Sequence, residues 1–552
     1  MSTSRNQQRE HQRSLMIKSQ TYQYFTLFLH NQALPSLNAC ETVEDLHSLS
    51  GKLVRYDCMI QDMYEEEYFM SVLLPTQSSQ NSETLSKSTQ HSSNSQPGLP
   101  LFYKYYTELT QDQIINYETQ SIDQQFAQER GNLLGISVPN MNQWLAQEPE
   151  KRAKTCLIKV YDENVRSFKL NDNLTVIGIL EFNKRQSEDE EMKNVSGGDD
   201  DYDPMARTGI PNEQNIPHLH VITFRKDLIL NNNQLLKRSQ VNNMTLNNYS
   251  QDLKEAREKL KAILKMILEG DQVASEFTLL NIISKAHTRK DGFILGNIST
   301  NLCGISSLRS KYLNRLLEKI LPHSMYLPLS LENLEEKRLS PKKNYDTNSL
   351  EPGLLQMVDN TFVVIDETLM KEGKVKENGV MNIKALATLI EQQVVQYDFM
   401  YSQIDMPINA GVIVLSEGRS MFKNTLQVVI KPEEGKDLDE NKLNQIINDE
   451  DLLNQLRRYI LVTNSFADVT LQDYHIPEDV SEYAQNIFIE TRKNEQQNFG
   501  EVKTNADTFH ALLTLARLIS ISDGEIALSM TNYEKARTLD QQRLSRIPQK
   551  SK

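Results

Sequence analysis

Phe362-Val-Val-Ile-Asp-Glu367 decides the fold of the second half of this chain, because four apolar residues are followed directly by two acids. A short apolar run of this kind is typical of a strand that is buried on both faces of a parallel sheet. The two acids then lie at the carboxyl end of the strand, where ligands bind in α/β folds. In nucleotide-hydrolysing proteins the first acid holds Mg²⁺ and the second orients or activates water. Any buried strand can end in two acids, so the pattern alone is weak.

The segments around this strand alternate between short apolar strands and amphipathic helices. This alternation predicts an α/β domain with a parallel sheet covered on both faces, followed from Leu438 by about four helices. The predicted elements are helices Leu253–Leu268 and Val273–His287, strand Phe293–Leu302, helix Leu308–Leu321, strands Tyr326–Leu331 and Thr361–Ile365, helix Ile383–Val394, strands Gly411–Leu415 and Leu426–Ile430, and helices Thr508–Ser522 and Thr531–Leu544.

A phosphate-binding loop is missing from the sequence. Nucleotide hydrolysis needs the pattern G-x-x-x-x-G-K-[ST], whose backbone N–H groups and lysine bind the phosphates. The Gly-Lys pairs Gly51-Lys52, Gly373-Lys374 and Gly435-Lys436 are not followed by Ser or Thr. After strand Phe293–Leu302, where the loop is expected, the chain reads Cys303-Gly-Ile-Ser-Ser307. We therefore predict an ATPase-like fold that is not an enzyme.

The first half of the chain has the period-two pattern of β-strands. Val54, Tyr56, Cys58 and Ile60 fall on one face of a strand, and Tyr68–Leu74 is predicted as its hairpin partner. Five or six short strands separated by long loops favour a small closed barrel of the OB type, with an open sandwich as the alternative. The further predicted strands are Leu101–Thr107, Thr155–Tyr161, Leu174–Phe182 and Leu219–Phe224.

Two segments of the first half are too polar to offset the entropy cost of ordering them. Gln77–Gly98 is rich in Ser, Gln and Asn, and Gln186–Pro204 is acidic. We expect both to be disordered insertions, and we predict a short helix over Met16–Asn31. The predicted domains are a helical segment over 1–48, the barrel over 49–230 with insertions near 77–98 and 186–204, the ATPase-like domain over 245–435, and a helical lid-like region over 436–552.

Charge and composition exclude several classes of protein. The chain carries 60 Lys and Arg against 74 Asp and Glu, a net charge of −14, which repels nucleic-acid phosphates unless a local basic patch exists. No apolar run of about 18 residues predicts a membrane span, and the polar start of the sequence argues against secretion. The four cysteines are far apart, so we expect buried thiols in a reducing compartment.

Metal and cofactor chemistry is weakly represented. The sequence contains no G-x-G, so the dinucleotide fingerprint is absent and we expect no cofactor. His218 and His220 lie two apart on one strand face and could bind a metal, but no third ligand is evident. We therefore interpret them as ordinary strand histidines.

Three short segments resemble signature segments of the mini-chromosome maintenance (MCM) complex-binding protein family. They are Cys58-Met-Ile-Gln-Asp-Met63, Ile365-Asp-Glu-Thr-Leu369 and Ser416-Glu-Gly-Arg-Ser420. Weaker similar stretches lie between them in the family's order and extend the resemblance over most of the chain from about Gly51. The candidate residues within the three segments are Cys58, Gln61, Asp62, Asp366, Glu367, Ser416, Glu417 and Arg419.

This resemblance implies a eukaryotic nuclear protein that binds subunits of the replicative MCM helicase. It also implies roles in removing the helicase from chromatin late in S phase, in escorting new subunits and in sister-chromatid cohesion. The implied architecture is mixed, α+β and α/β: an OB-like barrel, a degenerate AAA+/MCM-like ATPase fold and a C-terminal helical bundle, with no catalytic residues. We expect no membrane contact and weak or absent DNA binding. The alternative is a single-stranded nucleic-acid-binding protein that acts through the barrel.

Arg419 is the nearest cation to the predicted pair of acids. In ATPase-like sheets of the helicase kind, the strands ending at Asp366 and at Leu415 are neighbours. Two carboxylates facing each other without Mg²⁺ would repel, and a guanidinium matches a carboxylate in a bidentate fork. We therefore predict that Arg419 pairs with Asp366 or Glu367, with a solvent-exposed Arg419 as the alternative.

Overall fold

The protein divides into two compact units in a computed structural model of the full chain. Unit 1 comprises Met1–Val138, Glu150–Leu228 and Asn344–Leu350, and unit 2 comprises Pro139–Pro149, Ile229–Lys343 and Glu351–Lys552. The predictions for Met16–Asn31, Gln77–Gly98 and Gln186–Pro204 lie outside the described residues. The residues that the structure describes are 33–70, 72–75, 101–102, 117–118, 127–145, 154–161, 167–182, 216–226, 251–286, 288–290, 293–433, 438–469, 475–497, 505–525 and 527–547.

Unit 1 is built mainly from β-strands that follow one short helix. The helix begins after a capping box, in which Thr42 and Asp45 satisfy each other's backbone N–H groups. The elements are α1 (Val43–Leu49), β1 (Leu53–Met63), β2 (Glu67–Met70), β3 (Val72–Pro75), β4 (Leu101–Phe102), β5 (Tyr117–Glu118), β6 (Ala127–Ser137), β7 (Thr155–Tyr161), β8 (Asn173–Glu181) and β9 (His218–Lys226).

Five of these strands close into a barrel in the order β1-β8-β9-β7-β6 and back to β1. The long strand β1 pairs with β8 over Leu53–Met59 and with β6 over Cys58–Met63. All pairs are antiparallel except β7 with β9, which is parallel. Closure removes the exposed sheet edges, so the closed barrel is confirmed and the open sandwich is excluded. The alternate residues Tyr56, Cys58 and Ile60 are fully buried in the barrel core.

One prediction about the barrel is wrong, and one of its strands was not predicted. Tyr68–Leu74 is not the partner of the first strand, because β2 pairs with β6 instead. Strand β6 was not predicted, because its first half is polar and its glycines weaken a strand pattern. A Cβ at Gly135 would lie 2.5 Å from Ile158 Cδ1, so a larger residue there would need the end of the Ile158 side chain to move.

Unit 2 contains helices and strands that belong to three further sheets. Its helices are α2 (Gln251–Ile267), α3 (Gln272–Ile282), α4 (Ser307–Ile320), α5 (Leu331–Glu336), α6 (Glu377–Gln392), α7 (Glu440–Ile447), α8 (Glu450–Val469), α9 (Glu478–Gln497), α10 (Ala506–Ser522) and α11 (Met530–Leu544). Its strands are β10 (Thr288–Lys290), β11 (Phe293–Leu295), β12 (Thr300–Cys303), β13 (Ser324–Pro328), β14 (Lys342–Asn344), β15 (Ser349–Glu351), β16 (Thr361–Asp366), β17 (Val394–Asp398), β18 (Gln403–Pro407), β19 (Ala410–Ser416) and β20 (Leu426–Val429); the segment 344–350 that carries most of β15 belongs to unit 1.

The predicted parallel sheet is present in unit 2. Its order is β13-β16-β19-β12-β20, and every neighbouring pair is parallel. Strand β16 is buried at all six positions, as its apolar sequence requires. Helix α3 is buried along almost its whole length, and Asn281 Nδ2 on it donates to the carbonyl oxygen of Val412 in the sheet at 3.1 Å.

The predicted single strand Phe293–Leu302 is wrong in this unit. The chain forms β11, which pairs with β10 in a hairpin, and then β12, which enters the parallel sheet. Gly296 lies between them with φ +96°, a conformation that favours glycine and ends the first strand. Within the described residues, no helix combines the length and the apolar run needed to cross a membrane.

A candidate site at the carboxyl edge of the parallel sheet

Three adjacent strands bring the signature residues of unit 2 to one edge of the sheet. Asp366 at the end of β16 is in register with Leu415 of β19, and Cys303 at the end of β12 is in register with Ser416. The neighbouring positions that the sequence predicted for β16 and β19 are therefore confirmed. The turns that follow β12, β16 and β19 meet at this carboxyl edge, which is where α/β proteins bind ligands.

Asp366 is fully buried and its carboxylate is occupied by donors from its own unit. Oδ2 accepts hydrogen bonds from the Ser310 hydroxyl on α4 and from the Tyr326 hydroxyl on β13, the latter at 2.6 Å. Oδ1 accepts from the N–H of Thr368 at 2.9 Å. Burial raises the pKa of Tyr326, and its hydrogen bond to Asp366 raises it further, so the phenol stays a donor. Both oxygens of the Asp366 carboxylate therefore accept hydrogen bonds from within the unit.

Glu367 is half-buried and is held by the turn that follows β19. The Ser420 hydroxyl donates to Glu367 Oε1 at 2.8 Å. Burial raises the pKa of the Glu367 carboxyl, whereas the hydrogen bonds from Ser420 and from the Met421 N–H lower it. The Glu367 carboxylate therefore also accepts hydrogen bonds from residues at this edge of the sheet.

The backbone N–H groups of the turn after β12 donate hydrogen bonds to the neighbouring strand β19. The N–H groups of Gly304 and Ile305 both donate to the carbonyl oxygen of Ser416, at 2.8 and 3.3 Å. Gly304 has φ +92°, which only glycine adopts without strain. A phosphate-binding turn needs such N–H groups free to point at a ligand. In this protein both N–H groups are already hydrogen-bonded to the Ser416 carbonyl oxygen.

Ser416 is the centre of this edge. Its hydroxyl accepts from Asn301 Nδ2 at 2.8 Å and donates to the carbonyl oxygen of Gly418 at 2.7 Å, while its own carbonyl holds the turn after β12. Next to it, Gln427 Nε2 donates to Cys303 Sγ at 3.2 Å. The neighbouring strands β16, β19, β12 and β20 are thus linked near this edge by side-chain or turn hydrogen bonds.

The predicted ion pair of Arg419 is wrong. Arg419 and Glu417 are exposed, and among the described residues no salt bridge connects Arg419 to Asp366 or Glu367. The adjacent Ser420 contacts Glu367 instead, through its hydroxyl group. Neutral hydroxyl donors contact both carboxylates, so no cation is needed in the edge, and Arg419 stays exposed.

The signature segment of the barrel holds a distant piece of the chain within unit 1. Gln61 Nε2 donates to the carbonyl oxygen of Leu350 at 3.0 Å, and Asp62 Oδ2 accepts from the N–H of Leu350 at 2.8 Å. Asp62 Oδ1 also accepts from the N–H of Met63. A register shift in β1 between Ile60 and Asp62 lets these adjacent residues act on one backbone position. No local pattern in the sequence indicates this contact, because nearly 290 residues separate its partners.

Cys58 and His220 are structural residues of the barrel. Burial raises the pKa of the Cys58 thiol well above its ordinary value, so the thiol is inert. His220 Nε2 donates to Glu181 at 2.8 Å, and Nδ1 accepts from the Tyr161 hydroxyl at 2.6 Å. Burial lowers the pKa of His220, which keeps the ring neutral. Across the described ranges, no three His, Cys, Asp or Glu side chains are placed to hold a metal ion.

The fold defines a mixed α+β protein in which a closed five-stranded barrel precedes a unit with a parallel sheet. At the carboxyl edge of that sheet, the polar groups are hydrogen-bonded to one another. The chain belongs to the mini-chromosome maintenance replisome factor family, whose model matches residues 28–154 and 146–547.

Several relatives carry the name mini-chromosome maintenance complex-binding protein. The rat protein is 33% identical over 419 residues, which cover 73% of this chain and 63% of the rat protein. The human protein is 32% identical over 422 residues with the same coverage, and the Drosophila protein is 31% identical over 417 residues, covering 72% of this chain and 64% of its own. The chain thus spans less than two thirds of the length of these relatives, and the resemblance found in the sequence is confirmed.

Proposed function

We propose that this chain is a non-enzymatic nuclear protein that binds subunits of the mini-chromosome maintenance helicase. Membership of the family and the name that its relatives carry support this partner. The observation that supports the absence of catalysis is the closed edge, where the Gly304 and Ile305 amides hold Ser416. With Asp366 already filled by Ser310 and Tyr326, the edge favours a structural role over phosphate chemistry.

We assign the two units to known architectures on the same basis. Five strands closed in the order described, with one parallel pair, favour an OB-like barrel. The parallel sheet with adjacent β16 and β19, and a strand–turn–helix at Gly304, favours a degenerate AAA+/MCM-like domain over 245–435. The helices after residue 437 are proposed as its lid-like bundle over 436–552. This assignment is fold-level analogy and by itself gives no function.

The proposed mechanism is a shift of an assembly equilibrium. A protein that binds free or rearranged helicase subunits more tightly than the intact ring moves the ring towards disassembly, in proportion to the difference in affinity. This mechanism accounts for unloading of the helicase from chromatin and for the escort of newly made subunits. A role in sister-chromatid cohesion is proposed as a consequence of that activity.

A second candidate is single-stranded nucleic-acid binding through the barrel. The closed five-stranded barrel favours it, because such barrels often bind oligonucleotides. The net charge of −14 opposes it, since affinity for nucleic acid depends on cations that displace counterions from phosphates. We expect binding of a single-stranded oligonucleotide to be weak or absent at physiological salt, as measured by fluorescence anisotropy. Submicromolar, salt-sensitive binding would reverse the ranking.

Affinity capture of the tagged full chain from S-phase nuclei tests the partner. We expect helicase subunits in the captured fraction, and recovery of none in mild salt would contradict the proposal. Steady-state ATP turnover tests the absence of catalysis, with Glu367→Gln as the matched variant. We expect both proteins to remain at background, and turnover that Glu367→Gln abolishes would overturn this part.

A further inference from the structure

Ser340 is the only Ser or Thr of this sequence that directly precedes a proline, although the sequence holds 17 prolines. The chain reads Ser340-Pro-Lys-Lys343 there, so a lysine stands three residues after the serine. Proline-directed serine kinases select a proline directly after the serine, and the cyclin-dependent kinases among them favour a basic residue at the third position. Proline carries no N–H group, so the kinase has no backbone donor to satisfy at that position. The motif therefore indicates the class of enzyme that would act on Ser340.

The hydroxyl group of Ser340 is available in the folded chain. Ser340 lies at a bend between α5 and β14, and it is half-buried. Among the described residues, neither the Ser340 hydroxyl nor the Lys342 ammonium takes part in a hydrogen bond or an ion pair. The serine hydroxyls that contact Asp366 and Glu367 differ in this respect, because both are engaged as donors.

Main-chain hydrogen bonds hold the segment on both sides of Ser340. The N–H groups of Leu354, Leu355 and Asp398 donate to the carbonyl oxygens of Arg338, Leu339 and Pro341, at 3.0, 2.9 and 2.9 Å respectively. Leu339 and Pro341 are also buried. A kinase must therefore draw both residues out of their packing. Opening a short segment costs less free energy than unfolding the whole unit, so the folded chain can still be a substrate.

Two cations flank Ser340 on the solvent side of this segment. Burial alternates along 338–342, so Arg338, Ser340 and Lys342 reach solvent while the residues between them are packed. Alternate positions of an extended chain are about 7 Å apart, a distance that a long Arg or Lys side chain can span. Residues 335–343 carry four Lys or Arg against two Glu, so cations remain in excess when Glu351 is added. The surroundings of Ser340 therefore suit an anion.

We propose that Ser340 is phosphorylated by a proline-directed serine kinase and that Arg338 and Lys342 bind the phosphate on the folded chain. Ser340 Oγ attacks the γ-phosphorus of ATP held by the kinase. A new O–P bond forms, the bond between the γ-phosphorus and the ADP oxygen breaks, and the hydroxyl proton passes to the carboxylate base of the kinase. This inference does not depend on the proposed helicase partner.

The phosphate changes the partner of Arg338. In the unmodified chain Arg338 pairs with Glu351 at the end of β15, and both side chains are well exposed, so this pair contributes little stability. A phosphate carries about −1.5 to −2 charges at neutral pH, against the single charge of a carboxylate. Arg338 therefore moves from Glu351 to the phosphate, which a guanidinium binds in a bidentate fork.

Phosphate incorporation by the folded full chain tests the site. The chain is incubated with a cyclin-dependent kinase, its cyclin and ATP, and mass spectrometry locates the phosphate. We expect modification of Ser340 in the wild type, several-fold slower modification in Lys343→Ala, and none at this segment in Ser340→Ala. Ser402→Ala is the matched control, because Ser402 is exposed but is followed by Gln403, and its Ser340 should be modified at the wild-type rate. A wild type in which Ser340 stays unmodified, or an unchanged rate in Lys343→Ala, overturns the kinase assignment.

Phosphorus-31 NMR of the phosphorylated full chain tests the two cations. Phosphoserine has a second pKa of about 6, and neighbouring cations lower that pKa because they favour the dianion. We expect the phosphoserine pKa to be lower by roughly 0.5 in the folded chain than in the same chain unfolded in urea. Arg338→Ala should remove most of this difference, whereas Arg419→Ala, which removes another exposed guanidinium of the same unit, should keep it. Equal pKa values in the folded and unfolded chains overturn the binding of the phosphate by Arg338 and Lys342.

Discussion

Asp62 in the barrel and Asp366 in the parallel sheet are both buried carboxylates in signature segments, but they are satisfied by different kinds of donor. Asp62 accepts from the main-chain N–H groups of Leu350 and Met63. Asp366 accepts mainly from side-chain hydroxyls of Ser310 and Tyr326. Main-chain donors exist whatever residue supplies them, whereas hydroxyl donors depend on residue type. The barrel site therefore constrains one residue, and the sheet site constrains three together.

Asp366→Ala should give the largest effect. Removing this acceptor leaves two hydroxyls without it in a water-excluded site, and the cost should be roughly 3–5 kcal/mol of unfolding free energy. The triple variant Asp366→Leu, Ser310→Ala, Tyr326→Phe should recover part of that loss, because it removes donors and acceptor together. Urea unfolding followed by circular dichroism measures both. A loss below about 1 kcal/mol for Asp366→Ala would show that the hydroxyl donors find other partners.

His323 extends the comparison to histidines. His220 has two partners, whereas neither ring nitrogen of His323 has a hydrogen-bond partner in the described structure. Burial lowers the pKa of His323 from 6.5 to about 4. The unfolded state therefore takes up a proton first, and stability present above pH 6.5 is lost as the pH falls towards 4.

The difference between the folded and unfolded pKa of His323 corresponds to about 3 kcal/mol. Trp144, the only tryptophan of the chain, lies in the same unit, so its fluorescence during urea unfolding reports this loss. His323→Leu should flatten the dependence on pH between 6.5 and 4. An unchanged slope in that variant would assign the acid sensitivity to other groups.

Asp62→Ala should cost about 2 kcal/mol, because it removes the acceptor of two N–H groups. Asp62→Asn keeps one acceptor oxygen and should cost about half as much. Hydrogen exchange at the Leu350 amide gives a local readout, and exchange should accelerate in both variants. If protection at Leu350 survives in Asp62→Ala, the carboxylate does not hold this segment, and the contrast with Asp366 fails.

Arg419→Ala and Ser420→Ala should have the smallest effects on stability, and together they test which of the two residues supports Glu367. The exposed Arg419 should contribute less than about 0.5 kcal/mol, as surface charges usually do. Ser420→Ala removes the donor to Glu367 and should cost about 1 kcal/mol. Thermal unfolding of the two variants in parallel decides between them. A larger loss for Arg419→Ala would restore the ion pair that the structure contradicts.

The elements with strong local patterns were predictable from the sequence. The uninterrupted apolar runs of β16 and β19 identify a buried parallel sheet, and the period-two pattern of Tyr56, Cys58 and Ile60 identifies a barrel strand. Strand β6 was not predictable, because its first half is polar. Its residues form a strand only through pairing with β1, β2 and β7, which the local sequence does not indicate. The donors to Asp366 and the contact of Asp62 with Leu350 were not predictable for the same reason. Ser310 and Tyr326 carry no motif, and only the folded chain brings them to the carboxylate.

The two amide groups that hold the Ser416 carbonyl have a consequence for timing. In switch proteins the γ-phosphate limits how long the active state lasts, because its hydrolysis releases the loops that it had ordered. At the carboxyl edge of the parallel sheet, the turn after β12 is ordered by a carbonyl oxygen of the chain itself, which cannot be hydrolysed away. Hydrolysis of a bound group therefore cannot release this turn. Under the proposed function, the lifetime of a complex with the helicase would be set by its dissociation rate and by competition for the partner.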